Sequence, residues 1–245
     1  MSAIDLYARP SKDYEARLAE TQAVLIRAAA ELYPITQASS LGAEDVVITH
    51  LINSLELDIP VFVLDTGMLH DQTLALLERT RATSRAPIHV YQPMHEAVVH
   101  FVKREGQEPM YRSIELRKAC CHIRKVEPLQ RALAGKKAWI TGLRREQSAA
   151  RADVPLVDRS EPRTKLNPLA NWTWNDVWHY IAANGVDYNP LHDEFYPSIG
   201  CAPCTRAIAV GEDFRSGRWW WEDENAKECG LHVKGQQQPL GEAAA

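Results

Sequence analysis

What the sequence lacks narrows its class first. No stretch approaches the roughly 18 uninterrupted apolar residues of a membrane-spanning helix. The start, Met1-Ser2-Ala3-Ile4-Asp5, has no basic residues leading into an apolar run, so no secretory signal is expected. An excess of one charge is also missing: 28 Lys and Arg stand against 32 Asp and Glu, a net charge of −4. That removes the electrostatic case for a nucleic-acid partner. No internal repeat is present, which argues against a solenoid or propeller. The five cysteines, Cys120, Cys121, Cys201, Cys204 and Cys229, are odd in number, which argues against a disulfide framework. Neighbours such as Cys120 and Cys121 are also poor partners for an unstrained mutual disulfide. The resulting expectation is a soluble, cytoplasmic protein with no membrane and no nucleic-acid partner, its oligomeric state left open.

What is present suits one buried α/β domain: 245 residues, 45% apolar and 24% charged. Mixed three- and four-residue spacing of Leu18, Val24, Leu25 and Leu32 predicts a peripheral helix over 13–32. Short strands are expected at Ile35–Ala38, Val61–Leu64, Ile88–Tyr91 and Ala138–Thr141. Helices are expected at Val46–Leu55, Thr73–Arg81, Ala97–Lys103 and Leu116–Ala134. A further helix is marked over Trp174–Ala183, with Thr173 to cap it, Asp176 to complete a capping box and Gly185 to stop it. Strands alternating with helices imply a parallel twisted sheet with helices on both faces. In such sheets ligands sit at the carboxyl ends of the strands, so the Ser39–Asp45 and Asp65–His70 loops should share a rim. Residues 1–221 are expected to form one domain. The polar stretch 222–245 reads as a mobile tail carrying Cys229.

The cysteines divide naturally as four plus one. Cys201-Ala202-Pro203-Cys204 puts two thiolates on one turn, and Cys120-Cys121 brings the count to four. Spacing alone leaves zinc, an iron–sulfur cluster or incidental buried thiols open. Cys229, next to Gly230 and near Lys227 and His232, has the surroundings of a nucleophile. The loop Ser39-Ser40-Leu41-Gly42-Ala43-Glu44-Asp45 can cradle a phosphate at a helix start, yet it lacks the lysine of a Walker loop. A nucleotide with a lighter phosphate load fits it better than a triphosphate. Lys125, Arg151, Arg215 and Arg218 are candidate anion contacts. Trp219-Trp220-Trp221 should pack on the body and hold the last two arginines in place.

With these residues in hand, the chain closely resembles the bacterial adenylyl sulfate reductases, relatives of the phosphoadenylyl sulfate reductases. The resemblance rests on Ser40-Leu41-Gly42-Ala43-Glu44-Asp45, Leu64-Asp65-Thr66-Gly67, Cys120-Cys121-x-x-Arg124-Lys125 and Thr141-Gly142-Leu143-Arg144-Arg145. It continues through Gly200-Cys201-x-x-Cys204-Thr205-Arg206, Gly217-Arg218-Trp219-Trp220-Trp221 and Glu228-Cys229-Gly230-Leu231-His232. It implies an adenine nucleotide α-hydrolase-like fold and a [4Fe–4S] cluster on Cys120, Cys121, Cys201 and Cys204. It implies nucleotide binding by Ser39, Ser40, Gly42, Glu44 and Asp45 and by Leu64, Asp65, Thr66 and Gly67. Phosphosulfate contacts would come from Lys125, Arg151, Arg215, Arg218 and His232. The implied reaction is attack of the Cys229 thiolate on the sulfate sulfur of adenylyl sulfate. Sulfite is then released by an external dithiol, thioredoxin or glutaredoxin. Alternatives are a preference for 3′-phosphoadenylyl sulfate or use of both nucleotides, an ATP-dependent tRNA-thiolating enzyme, and a zinc-stapled interaction domain.

Overall fold

The computed structural model describes residues 1–209 and 211–223. Its frame is one sheet of six strands in the order β3-β2-β1-β4-β6-β5. The strands are β1 (Ile35–Ser39), β2 (Val61–Leu64), β3 (Ile88–Tyr91), β4 (Ala138–Ile140), β5 (Val157–Asp158) and β6 (Thr164–Leu166). All neighbouring pairs are parallel except β5, which runs antiparallel to β6. Val61, Val63, Ala138 and Ile140 join the larger apolar core, while Phe62 and Trp139 join a separate one with Leu129, Ala132 and Leu133. Alternate residues of one strand therefore face opposite layers, as the pleat requires. Both faces of the sheet are covered.

The larger core lies beneath α2 (Tyr14–Glu31), α3 (Ala43–Ser54), α4 (Asp71–Thr83) and α8 (Trp174–Asn184). Here helices are numbered in chain order, with α1 (Ala3–Tyr7), α5 (His95–Glu105), α6 (Ile114–Cys121) and α7 (Glu127–Ala132) completing the set. Among the described residues no helix is long and apolar enough to cross a membrane.

Three local features depart from the sequence expectation. Helix α3 begins at Ala43 rather than near Val46, which takes Glu44 and Asp45 into its first turn, where negative charge suits the helix dipole. The helix expected over 116–134 is three pieces, with a π-helical turn at His122–Val126 between α6 and α7. Pro128 follows that turn and offers no N–H to continue regular winding. Strands β5 and β6 are too short to show a two-residue period and escaped the sequence reading.

Helix α8 follows its sequence markers. The Thr173 hydroxyl accepts from the Asp176 N–H at 3.0 Å, the Asp176 carboxylate accepts from the Thr173 N–H at 3.0 Å, and Gly185 is left-handed with φ of 60°. Glu222, placed at the start of the tail by composition, is instead buried against Arg117 at 2.7 Å. The tryptophan run divides its labour: Trp219 is 1% exposed and Trp220 is 39% exposed.

From β1 the sheet grows through β2 and β3 on one side and through β4 and β6 on the other. The loops leaving β1 and β4 consequently diverge, and a crevice opens between them at the strands' carboxyl ends.

Candidate active site

That crevice is a cavity of about 200 Å³. Its apolar walls include Phe62, Leu64, Leu129 and Trp139, and its polar floor is the loop from Ser39 into α3. The loop is folded onto its own carboxylate: Ser40 donates to Asp45 from both its N–H and its hydroxyl, each at 2.7 Å. Burial pushes the Asp45 carboxyl up to about 6, against the pull of the Ser40 hydrogen bonds and with a further push from Glu44. Gly142, leaving β4, must be bare, because a Cβ there would lie 2.5 Å from an Asp45 carboxylate oxygen. Beside it, Glu44 accepts from Arg144 Nε at 2.9 Å and from Gln147 Nε2 at 3.0 Å.

The four basic candidates, far apart in the chain, all line this cavity: Lys125, Arg151, Arg215 and Arg218. Arg151 is buried and donates to Gln147 Oε1 at 2.7 Å. Arg218 is buried too. Its guanidinium stacks 4.6 Å from the centre of the Trp219 ring and lies against Gly200, where any Cβ would come within 2.3 Å of Nη2. Its closest hydrogen-bond acceptor among the described residues is the Ser198 hydroxyl at 3.4 Å, and its Nε is buried without a partner. Arg215 stacks on the same ring at 5.9 Å. A buried, under-satisfied cation is costly unless something anionic meets it.

His192 also lines the cavity. Its Nδ1 lies 2.8 Å from the Tyr196 carbonyl and donates to it, while burial pulls its pKa down to about 4, so the imidazole is neutral. With Nδ1 carrying the proton, Nε2 is the acceptor, and it too is buried without a partner among the described residues.

A second, smaller cavity is lined by Cys120, Cys121, Cys201 and Cys204 together with Met68, Met110, Arg117, Arg124 and Lys125. The first pair comes from the end of α6, the second from a 3-10 turn at Ala202–Cys204. That turn is tied down by Ala202 N–H to the Met68 carbonyl at 2.8 Å and by the Tyr111 hydroxyl to the Pro203 carbonyl at 2.6 Å. Burial raises the Cys120 thiol above its ordinary pKa and pushes Cys204 up to about 12. Among the described residues, no three or more His, Cys, Asp or Glu side chains are closed up around a single metal-ion position. The thiols instead surround a void.

The two cavities share a wall. Lys125, on the π-helical turn, lines both. The Leu64–Gly67 segment bridges them. Leu64 faces the larger cavity, whereas the Thr66 hydroxyl lies 3.3 Å from Cys201 Sγ and the Thr66 carbonyl accepts from Arg124 at 2.7 Å. Asp65 lines neither cavity. It accepts from the Gly67 N–H at 2.9 Å and Gln92 at 2.8 Å, shaping the turn in which Gly67 takes φ of 68°. Of the other candidates, Ser39, Ser40, Gly42, Glu44 and Asp45 all line the larger cavity. Cys229 and His232 lie outside the described residues. Sequence reasoning passed over Gln147 and His192, and quoted Gly200 within a motif without giving it a role. Gln147 stood in plain view within Arg144-Arg145-Glu146-Gln147-Ser148, but nothing in the spacing tied it to Glu44.

Comparison with known proteins is consistent with this geometry. Residues 34–207 match the phosphoadenosine phosphosulfate reductase domain. The chain is 54% identical over 198 residues to an adenosine 5′-phosphosulfate reductase of Burkholderia cepacia, covering 80% of this chain and 79% of that protein. It is 53% identical over 198 residues to the protein of the same name from Neisseria meningitidis, covering 80% and 81%. A crystal structure of phosphoadenylyl-sulfate reductase from Candida auris, in a phosphate complex, superposes with a TM-score of 0.64 at 30% identity, covering 81% of this chain and 94% of that one. Sheet order, cavity and sequence thus converge, and the chain belongs to the phosphoadenosine phosphosulfate reductase family.

Proposed function

We propose that the protein is an adenylyl sulfate reductase that uses Cys229 as its nucleophile and an external dithiol as its reductant. The observation carrying this reading is the shared wall: a cationic, half-apolar cavity suited to a nucleoside with an anionic tail meets a four-thiol pocket at Lys125. The names of the curated relatives supply the substrate.

In the first step the Cys229 thiolate attacks the sulfate sulfur. A sulfur–sulfur bond forms, and the bond from that sulfur to the bridging oxygen breaks. The oxygen leaves with its electron pair as part of AMP. Negative charge builds on the departing phosphate, where Lys125, Arg151, Arg215 and Arg218 stabilise it, with His232 as a further contact. One thiol of an external dithiol then attacks the Cys229 sulfur and expels sulfite, and the second thiol resolves the mixed disulfide. Four cysteines committed elsewhere leave Cys229 no internal partner, so the two electrons come from a protein such as thioredoxin or glutaredoxin. Free thiols of this number suit a reducing cytoplasm.

The residues present fit a [4Fe–4S] cluster. Cys120, Cys121, Cys201 and Cys204 ring one void rather than a single-ion point, with Arg124 and Lys125 alongside and the Thr66 hydroxyl against Cys201. When bound, the cluster would hold the two cysteine segments together and set its charge beside Lys125. The residues 222–245, beginning at the anchored Glu222, are proposed to deliver Cys229 to the cavity.

The test is activity of the iron-loaded protein with adenylyl sulfate and reduced thioredoxin, alongside iron and sulfide analysis. Sulfite production, brown colour and faster turnover than with the 3′-phosphorylated nucleotide are expected. A preference for the 3′-phosphorylated substrate would reassign the specificity, and a colourless zinc protein would sink the cluster. Cys229→Ser should bind nucleotide yet lose sulfite formation by on the order of 10⁴-fold or more. In the wild type, mass spectrometry after one turnover without reductant should find the sulfo-adduct on the Cys229 peptide.

A further inference from the structure

We infer that Gln147 is a positioning residue: its neutral amide couples the buried carboxylate of Glu44 to Arg151 and fixes that guanidinium at the wall of the nucleotide cavity. The inference rests on the proposed reading of Arg151 as a phosphosulfate contact. It adds a residue that contributes no charge of its own but determines where a charge stands.

Gln147 lines the cavity and is 9% exposed, and its amide is bonded at both ends. Nε2 donates to Glu44 Oε1 at 3.0 Å and to the Gly142 carbonyl at 3.3 Å. Oε1 accepts from the Arg144 N–H at 3.1 Å and from Arg151 Nη1 at 2.7 Å. Donors meet only the oxygen and acceptors only the nitrogen. A flipped amide would oppose like to like at all four contacts, so one orientation is set. The far end is firmly held, because Glu44 is itself buried and paired with Arg144 at 2.9 Å, and Arg144 stacks on Trp174 at 5.3 Å.

The chemistry selects glutamine in particular. A glutamate here would bring a second carboxylate against Glu44 and an anion against Arg151, weakening the arginine's pull on a negatively charged ligand. A shorter or apolar side chain would leave Arg151 without this acceptor and Glu44 with Arg144 but without its second donor. The structural alternative is that Gln147 merely closes the 3-10 turn Arg145–Gln147 through its bond from the Arg144 N–H. The two roles differ in what they couple to.

The experiment uses the full-length, cluster-loaded protein and four variants: Gln147→Met, Gln147→Glu, Arg151→Ala and the double Gln147→Met/Arg151→Ala. Binding of adenosine 5′-phosphosulfate, AMP and adenosine is measured by calorimetry, and KM and kcat separately. If Gln147 acts through Arg151, Gln147→Met weakens the two anionic ligands about tenfold and leaves adenosine unchanged. The double variant is then no weaker than Arg151→Ala alone. Gln147→Glu should lose more than Gln147→Met for the anions, and KM should rise more than kcat falls. Should Gln147→Met not fold, the same comparison of anion against adenosine is made on Gln147→Glu. Additive losses in the double variant, or an equal loss for adenosine, would overturn the inference. Failure of the wild type to bind adenosine 5′-phosphosulfate would instead remove the proposed function beneath it.

Discussion

Two buried aspartates, Asp176 and Asp45, show how differently this fold treats its body and its cavity. Asp176 heads α8 and gathers donors from three segments: Ser11 N–H at 2.7 Å, Arg17 at 2.7 Å, the Ser11 hydroxyl at 3.1 Å and the Thr173 N–H at 3.0 Å. Burial works against ionisation there, but these hydrogen bonds outweigh it and hold the carboxyl below its ordinary range. Asp45 is buried too, yet its donors come from Ser40 and Gly142, its neighbour Glu44 is another carboxylate, and burial pushes its carboxyl up to about 6. The body spends a buried charge on joining chain segments. At the cavity wall, Nε2 of His192 and Nε of Arg218 are buried without a partner among the described residues. Incomplete satisfaction in a folded protein points to a ligand that completes it.

The contrast can be broken from either side. Asp176→Ala leaves the donors of Ser11 and Thr173 without this acceptor and Arg17 with only the longer contact to Asp13 at 3.8 Å, and should destabilise the protein by about 3–5 kcal/mol. Its kcat with adenylyl sulfate, measured below the unfolding transition, should be unchanged. Arg218→Ala should do the reverse, lowering kcat/KM about 10²-fold, while the cluster absorbance persists and Tm stays within a few degrees of wild type. If both variants lose only stability, the division between body and cavity is wrong.

Acid titration sharpens it further, because the two carboxyls carry opposite signs. A carboxyl held low in the native state contributes stability that is complete above its unfolded pKa and is lost as pH falls through the native one. The Asp176 contribution should therefore disappear below about pH 4, and denaturant unfolding of Asp176→Asn should lack that acid limb. Asp45 binds its proton more readily folded than unfolded, so its share of stability should decline as pH rises from about 4 to about 6. Asp45→Asn should flatten that interval and be at least as stable as wild type at pH 8. This is the smallest effect of the set.

Much of the frame was legible because it is written locally. Apolar runs marked the first four strands. Thr173, Asp176 and Gly185 marked the ends of α8, since caps and stops act over a few residues. The cysteine pairs and scattered basic residues could be named, and the sheet's switch point brings the basic residues to one cavity. What escaped was held by distant pairs. Glu44 meets Arg144 across 100 residues, and Arg117 meets Glu222 across 105, neither with any periodic signal. Those pairings fix Gln147 in place and anchor Glu222, and no local pattern announces them. The short strands β5 and β6 escaped for the opposite reason, being too short to carry a pattern at all.

The wide turn at His122–Val126 has an arithmetic consequence. Each residue of a regular helix advances the azimuth by about 100°. Deleting one residue there would rewind the segment and rotate Cys120 and Cys121 by roughly that angle relative to α7. The larger cavity and the four-thiol pocket meet at a single irregular coil, and shortening it should shift the walls of both together.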